Sequence, residues 1–350
     1  MWRMDPRLPG LTDRIGRPLR DLRISVTDRC NFRCRYCMPR EVYGRSYRFL
    51  PRAELLTFEE IARVTALVAQ LGVRKVRLTG GEPLLRAQLP RLVRMLAGVA
   101  GVDDLTLTTN GSLLERHALQ LKQAGLGRIT VSLDALDETT FRLLSDADVS
   151  LQSVLDGIAA AERAGLVPIN VNMVVRRGLN EHSILPMARH CRARGYVLRF
   201  IEYMDVGHTN GWRMDDVVPA ADILARLDED MPIEPVPPRY RGEVAARWRY
   251  RDGGGEVGVI ASVSQPFCGD CTRLRLTADG QLFTCLFGSR GHDLRGALRA
   301  GATDDQLREL LRQVWSERDD RYSELRSRAT GTRQLPVVDA SRVEMSRIGG

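Results

Sequence analysis

Short β-type runs that alternate with helical stretches from residue 22 to about 228 predict an α/β fold, an incomplete (β/α)6 TIM-type barrel with a C-terminal α+β segment covering the open side. Three observations carry this prediction. Strands that alternate with helices pair in parallel through right-handed crossovers. The six β/α units are too few to close a full barrel, which leaves one side open. The rhythm then changes after the proline-rich MPIEPVPPRY (231–240), which reads as a linker or crossing loop.

The expected strands, in order, are LRISVTD (22–28), KVRLTG (75–80), DLTLTTN (104–110), RITVSLDA (128–135), INVNMVV (169–175) and VLRFIEYM (197–204). Each is rich in β-branched or other apolar residues and runs out into polar or glycine positions. Between the first two, Thr57 with Glu60 three residues on forms a capping-box pattern, and Ile61, Val64, Val68 and Leu71 fall on one helical face. Beyond the linker, ARWRYRDGGGEVGVIASVS and RLRLTADGQLFTC read as hairpins, the second turning at Asp279-Gly280, and DDQLRELLRQVW as a helix. The chain therefore divides into a partial barrel (1–228) and a C-terminal part (229–350).

A chain of 350 residues that is 43% hydrophobic can build a substantial core. No stretch approaches the roughly 20 apolar residues that span a bilayer, and MWRMDPRLPG lacks the apolar centre of a signal peptide, so a cytoplasmic location without membrane contact is expected. In that reducing compartment closely spaced cysteines point to a metal or redox site rather than to disulfides. The formal charge of +8 fits a nucleic-acid surface or a site for an anionic small molecule. Nearly all of it is arginine, scattered along the chain, with Lys75 and Lys122 the only lysines.

The cysteines fall into two groups of three. Cys30, Cys34 and Cys37 form C-x3-C-x2-C in DRCNFRCRYCMPR, directly after the first expected strand, where α/β folds bind ligands. Cys268, Cys271 and Cys285 form C-x2-C-x13-C across the second expected hairpin. On spacing alone the second group also admits a structural zinc with His292 as fourth ligand. A cubane iron-sulfur cluster held by three cysteines keeps one iron open for a small molecule. Cys191, in the helical MARHCRARG, reads as a packed core residue.

C-x3-C-x2-C with Tyr36 before its last cysteine, and GGEP (80–83) after the second strand, resemble the radical S-adenosylmethionine (SAM) superfamily. VRLTGGEPL, LTTNG, VSLDA, FIEYMDVG, PFCGDCTRLRLTADG and the terminal MSRIGG narrow the resemblance to the GTP 3',8-cyclase family (molybdenum cofactor biosynthesis protein A), from about residue 10 to Gly350. The resemblance implies two 4Fe-4S clusters, one on Cys30, Cys34 and Cys37 and one on Cys268, Cys271 and Cys285. It implies a SAM site lined by Tyr36, Gly81, Ser132 and Met204. It implies GTP contacts from Arg23, Arg77, Thr108, Asn170, Arg273, Leu274 and Arg275, and a catalytic tail ending in Gly349-Gly350.

Guanidinium groups suit a triphosphate because they make paired, charge-assisted hydrogen bonds. Asn170 departs from the family, where many relatives carry lysine. The implied reaction is reductive cleavage of SAM, hydrogen removal from C3' of GTP and closure onto C8, the first step of molybdenum cofactor biosynthesis. The implied partners are GTP, a reductant protein or small reductant, cyclic pyranopterin monophosphate synthase downstream and a second copy of the chain. Two other readings remain at this point: a different radical SAM enzyme with an auxiliary cluster, or a zinc-containing nucleic-acid-binding protein. The first would usually carry a longer downstream cysteine series, and the second predicts a colourless, zinc-loaded protein.

Overall fold

The computed structural model describes residues 10–330 and 342–349. Strands β1 (Asp21–Ser25), β2 (Lys75–Thr79), β3 (Asp104–Thr109), β4 (Arg128–Ser132), β5 (Ile169–Val175) and β6 (Val197–Glu202) are parallel neighbours in chain order. All six lie where the sequence places them. Five of the expected runs continue past the strand end, and their last residues are loop, because the chain leaves the sheet there to build the site.

Helices α1 (Phe58–Gln70), α2 (Leu89–Ala97), α3 (Leu114–Gln123), α4 (Glu138–Ser145), α5 (Leu151–Arg163), α6 (Ile184–Ala193) and α7 (Ala220–Asp230) occur between and after these strands. The Thr57 capping box is formed in both directions, and α1 buries Ile61, Val64 and Val68. Cys191 on α6 is buried in the core, as its helical context predicts.

The C-terminal part extends both edges of the same sheet. Strands β7 (Ile233–Val236), β8 (Ala246–Tyr250) and β9 (Glu256–Ile260) form an antiparallel unit whose β9 joins β6 in parallel. Strand β10 (Arg273–Leu276) joins β1 in parallel and turns back through Asp279-Gly280 into β11 (Gln281–Phe283) and β12 (His292–Asp293). Gly280 sits at φ +80°, a conformation that favours glycine. Helices α8 (Leu294–Arg299), α9 (Asp304–Ser316), α10 (Tyr322–Thr330) and α11 (Met345–Ile348) follow.

The twelve strands run β12-β11-β10-β1-β2-β3-β4-β5-β6-β9-β8-β7, an unclosed sheet with a TIM-like parallel centre. The stretch expected to be a linker carries β7 instead. Pro235 is tolerated there because β7 is the outermost strand and pairs only with β8. The expected boundary at 228/229 falls inside α7, and one sheet runs through both parts.

Strand parity sorts the residues. Leu22, Ile24, Val76, Leu78, Leu107, Ile129, Val131, Val171 and Phe200 belong to the hydrophobic core. The alternate positions Arg23, Arg77, Thr108, Ser132, Asn172 and Ile201 line the barrel interior. The strand arginines therefore point inward, away from solvent.

Glu202, at the end of β6, locks this arrangement. Its buried carboxylate accepts from the Ala220 amide at 2.7 Å, the Val263 amide at 2.7 Å, and the Ser264 amide and hydroxyl at 2.8 and 2.5 Å. Glu202→Ala is expected to cost about 3 kcal/mol, because it strips the buried Ala220 amide of its acceptor and unties β6 from the chain after β9. Urea denaturation measures this, and an unchanged midpoint would contradict it.

Candidate active site

The first cysteine loop is fixed at its root by backbone pairing between the ends of β1 and β2. Val26 donates to the Thr79 carbonyl at 2.9 Å, Gly81 to Thr27 at 2.9 Å and Glu82 to Arg29 at 2.8 Å. A Cβ on Gly80 would lie 2.5 Å from the Thr27 carbonyl oxygen, and one on Gly81 would lie 2.3 Å from that of Arg29. The two glycines thus serve a close approach of backbone to backbone, although Gly81 also lines the cavity. Within the loop, the amides of Cys37 and Met38 both donate to the Cys34 carbonyl, at 2.9 and 2.8 Å, a turn that brings Cys34 and Cys37 together.

The neighbouring loops are tied to it by Glu82, whose buried carboxylate accepts from Thr109 Oγ1 and the Asn110 amide at 2.7 Å and the Leu84 amide at 3.0 Å. Burial pushes Glu82 up to about 7. Asn110 in turn donates to Asn31 at 2.9 Å, inside the cysteine loop. Tyr36 donates to Asp134 at 2.7 Å, and Asp134 also accepts from the Val174 amide at 2.8 Å. Burial raises Asp134 to about 6.

The second cysteine group is clamped by two arginines. Arg17 donates to the Cys268 carbonyl at 2.8 Å and Arg318 to that of Cys271 at 2.7 Å, while the buried Asp13 carboxylate accepts from both. Arg273 reaches Cys271 Sγ at 3.3 Å, and the Phe287 amide reaches Cys285 Sγ at 3.5 Å. Burial pushes the Cys271 thiol up, but Arg273 and Arg318 outweigh it and hold the group at about 6.

Burial raises Cys285 to about 12, Cys30 to about 11, and Cys34 and Cys37 above their ordinary value. Thiols so placed ionise when a cationic centre binds them, so the donor set fits iron-sulfur clusters. Among the described residues no three His, Cys, Asp or Glu converge on a single metal ion; a cluster binds each cysteine to a different iron and needs no such convergence. His292 is exposed on β12 and does not line the cavity.

Both cysteine groups line one cavity of about 250 Å³, together with Tyr36, Gly81, Ser132, Met204, Arg23, Arg77, Thr108, Arg273 and Arg275. Two predicted contacts are elsewhere. Leu274 points to the opposite face of β10 and is fully buried in the core, which fixes the inward aim of Arg273 and Arg275. Asn170 is buried on β5 outside this cavity, its amide donating to the Ile129 carbonyl at 3.4 Å. Of the tail, Met345 lines the cavity, and Gly349 packs on Thr79 and accepts through its carbonyl from Arg275. Gly350 lies outside the described residues.

The arginines crowd one another. Burial, then Arg275 and Arg273, depress Arg23; burial and Arg128 bring Arg77 to about 10; burial and Arg273 bring Arg275 to about 9. Sequence reasoning missed Arg199, which burial and Arg77 depress to about 10, and also Lys75, Asn172, Asp134, Arg17 and Arg318. Arg199 alternates with the apolar Leu198 and Phe200 of β6, a pattern that sets it on the other face without saying which face is inward, whereas Arg17 and Arg318 carry no local signal.

Residues 24–191 match the family model Radical SAM superfamily, and residues 196–324 match Molybdenum Cofactor Synthesis C. The chain is 59% identical to GTP 3',8-cyclase of Acidothermus cellulolyticus, over 97% of this chain and 94% of that protein. The chain belongs to the GTP 3',8-cyclase family. It is 51% identical to the GTP 3',8-cyclase of Xanthomonas campestris pv. campestris, over 97% of both chains. Streptococcus suis SuiB bound to S-adenosylmethionine superposes with a TM-score of 0.59 at 18% identity, over 89% of this chain and 68% of that one, which shows the shared radical SAM fold. No helix among the described residues is long and apolar enough to cross a membrane.

Proposed function

We propose that this chain cyclises GTP to (8S)-3',8-cyclo-7,8-dihydroguanosine 5'-triphosphate, the first step of molybdenum cofactor biosynthesis. The observation that carries this reading is one cavity walled by two three-cysteine groups, by Arg23 and by the buried Arg77 and Arg275, and none of these three arginines forms an ion pair with a carboxylate among the described residues. Cys30, Cys34 and Cys37 would hold one 4Fe-4S cluster and Cys268, Cys271 and Cys285 a second. With SAM bound, these groups supply the one-electron chemistry.

The chain's own residues bind and orient. Tyr36, held by Asp134, would hold SAM together with Gly81, Ser132 and Met204, which line the same cavity. Arg23, Arg77, Thr108, Arg273 and Arg275 would contact the nucleotide, Leu274 anchors the strand between the last two, and Asn170 would add an uncharged hydrogen-bonding contact. The tail, held through the Gly349 carbonyl by Arg275, would take part in catalysis together with Gly350, as the resemblance implies, and help to keep water out. Residues 1–228 carry the SAM chemistry and 229–350 the second cluster and tail. The remaining partners are a reductant protein or small reductant, cyclic pyranopterin monophosphate synthase and a second copy of the chain, in the cytoplasm.

The deciding experiment uses anaerobic, cluster-loaded protein with SAM, reductant and GTP deuterated at C3'. Deuterium in the 5'-deoxyadenosine supports the reading; unlabelled 5'-deoxyadenosine formed without dependence on GTP would overturn the substrate. Colourless, zinc-loaded protein with salt-dependent nucleic-acid affinity would favour the other class.

Two variants probe named residues. Asn170→Lys adds a cation beside the arginines and is expected to preserve or tighten GTP binding, so a large loss by equilibrium dialysis would remove Asn170 from the site. Adding a few residues after Gly350 is expected to lower turnover at least about tenfold with the melting temperature unchanged, an effect of displacing a tail held through Gly349. Unaltered turnover would sink the role of the tail.

A further inference from the structure

A second, smaller cavity of about 60 Å³ adjoins the main one and shares Arg23, Arg77, Asn172 and Arg273 with it. It lies toward the N-terminal ends of the parallel strands, where Asp21 and Lys75 are the first residues of β1 and β2. Its own walls include Lys75, Arg199, Tyr240 and Glu243. Asn172 Oδ1 and Arg273 Nε, on the shared wall, are buried with no hydrogen-bond partner among the described residues. The Arg273 N–H calls for an acceptor there, and the Asn172 amide, turned by half a rotation, presents its NH2 to the same ligand.

Tyr240 and Glu243 belong to the loop between β7 and β8. The Arg239 amide donates to Glu243 at 2.7 Å, Arg239 pairs with Glu256 at 3.0 Å, and Arg247 donates to the Pro237 carbonyl at 2.9 Å. The Tyr240 ring lies under the cations of Arg20 and Lys75, 4.9 and 5.4 Å from its centroid. Lys75 Nζ donates to Tyr240 Oη at 2.8 Å. Burial lowers Lys75 to about 7, and an anionic ligand beside it favours the ammonium, which has no lone pair, so Tyr240 is then the acceptor and its own O–H remains a donor. Two carboxylates line the pocket: Asp21, which accepts from Thr272 at 3.0 Å, and Glu243.

We propose that Tyr240 and Glu243 form the end wall of the phosphate pocket and set the length of the 5'-phosphate chain the site accepts. The inference rests on GTP occupying the cavity as proposed above. The terminal phosphate of GTP meets Lys75, Arg199 and the Tyr240 hydroxyl, a contact that GDP is too short to make. A fourth phosphate is driven against the Glu243 carboxylate, where like charge repels it.

The test measures dissociation constants for GTP, GDP and guanosine 5'-tetraphosphate on cluster-loaded wild type, Tyr240→Phe and Glu243→Gln, by equilibrium dialysis. Wild type should prefer GTP to both. Tyr240→Phe should shrink the GTP-over-GDP preference about tenfold, the effect of one hydrogen bond to a charged group. Glu243→Gln should raise tetraphosphate affinity relative to GTP about tenfold. Wild-type ratios in both variants, with GTP still bound, would overturn the length gauge and leave the proposed substrate standing. Wild-type protein that binds none of the three would overturn the substrate and the gauge together.

Discussion

Arg77→Met is expected to weaken GTP binding about 100-fold while leaving the nucleotide-free protein at least as stable as wild type. The guanidinium is buried, donates to the hydroxyls of Thr108 at 2.7 Å and Thr130 at 3.2 Å, and is depressed by burial and by Arg128. None of its hydrogen bonds among the described residues goes to a carboxylate. A cation kept this way costs folding free energy that only an anionic ligand returns. Methionine of similar volume removes that cost, about 1 kcal/mol or more, together with the phosphate contact. Equilibrium dialysis with GTP and urea denaturation of nucleotide-free protein read the two halves separately. A destabilised variant with normal GTP affinity would show that Arg77 is structural.

Gly81→Ala is expected to lose most of the iron on the first cysteine group and at least about 100-fold in 5'-deoxyadenosine formation. The new Cβ would sit 2.3 Å from the Arg29 carbonyl oxygen, a backbone atom that cannot step aside without moving the loop that carries Cys30. Because Glu82 also donates its amide to that carbonyl, the loop loses its register against β2. Iron analysis and Mössbauer or electron paramagnetic resonance spectra of the reduced protein would report the damage against wild-type protein loaded side by side. Full iron content with full activity would refute the packing role of this glycine.

The two variants show where local reading stopped. GGEP was legible as a strand-end loop, but the reason for its glycines lay in the partner backbone at residues 27–29, which enters only when β1 and β2 pair. The strand arginines were legible as inward or outward, not as one of the two, since a strand carries two faces and only the helices packed on Leu22, Val76 and Leu107 decide which is apolar. Arg199 was hidden by the same ambiguity. The expected linker concealed β7 because proline argues against a strand unless that strand is an edge, and edges belong to the assembled sheet.

Local order in the chain determined the elements themselves: six strand positions, the Thr57 cap, the Asp279-Gly280 turn, the closely spaced Cys30, Cys34 and Cys37, and the hairpin that returns Cys285 toward Cys268 and Cys271. The meeting of the two triplets was a tertiary decision. It depends on β10 choosing the free edge of β1 and β9 the free edge of β6, pairings that join residues more than fifty positions apart, and more than two hundred in the case of β10. Periodicity and spacing describe neighbours along the chain. A cavity that draws Arg17, Cys37, Arg77, Cys271 and Met345 together is set by sheet order and register, and those follow from which buried faces can be satisfied together.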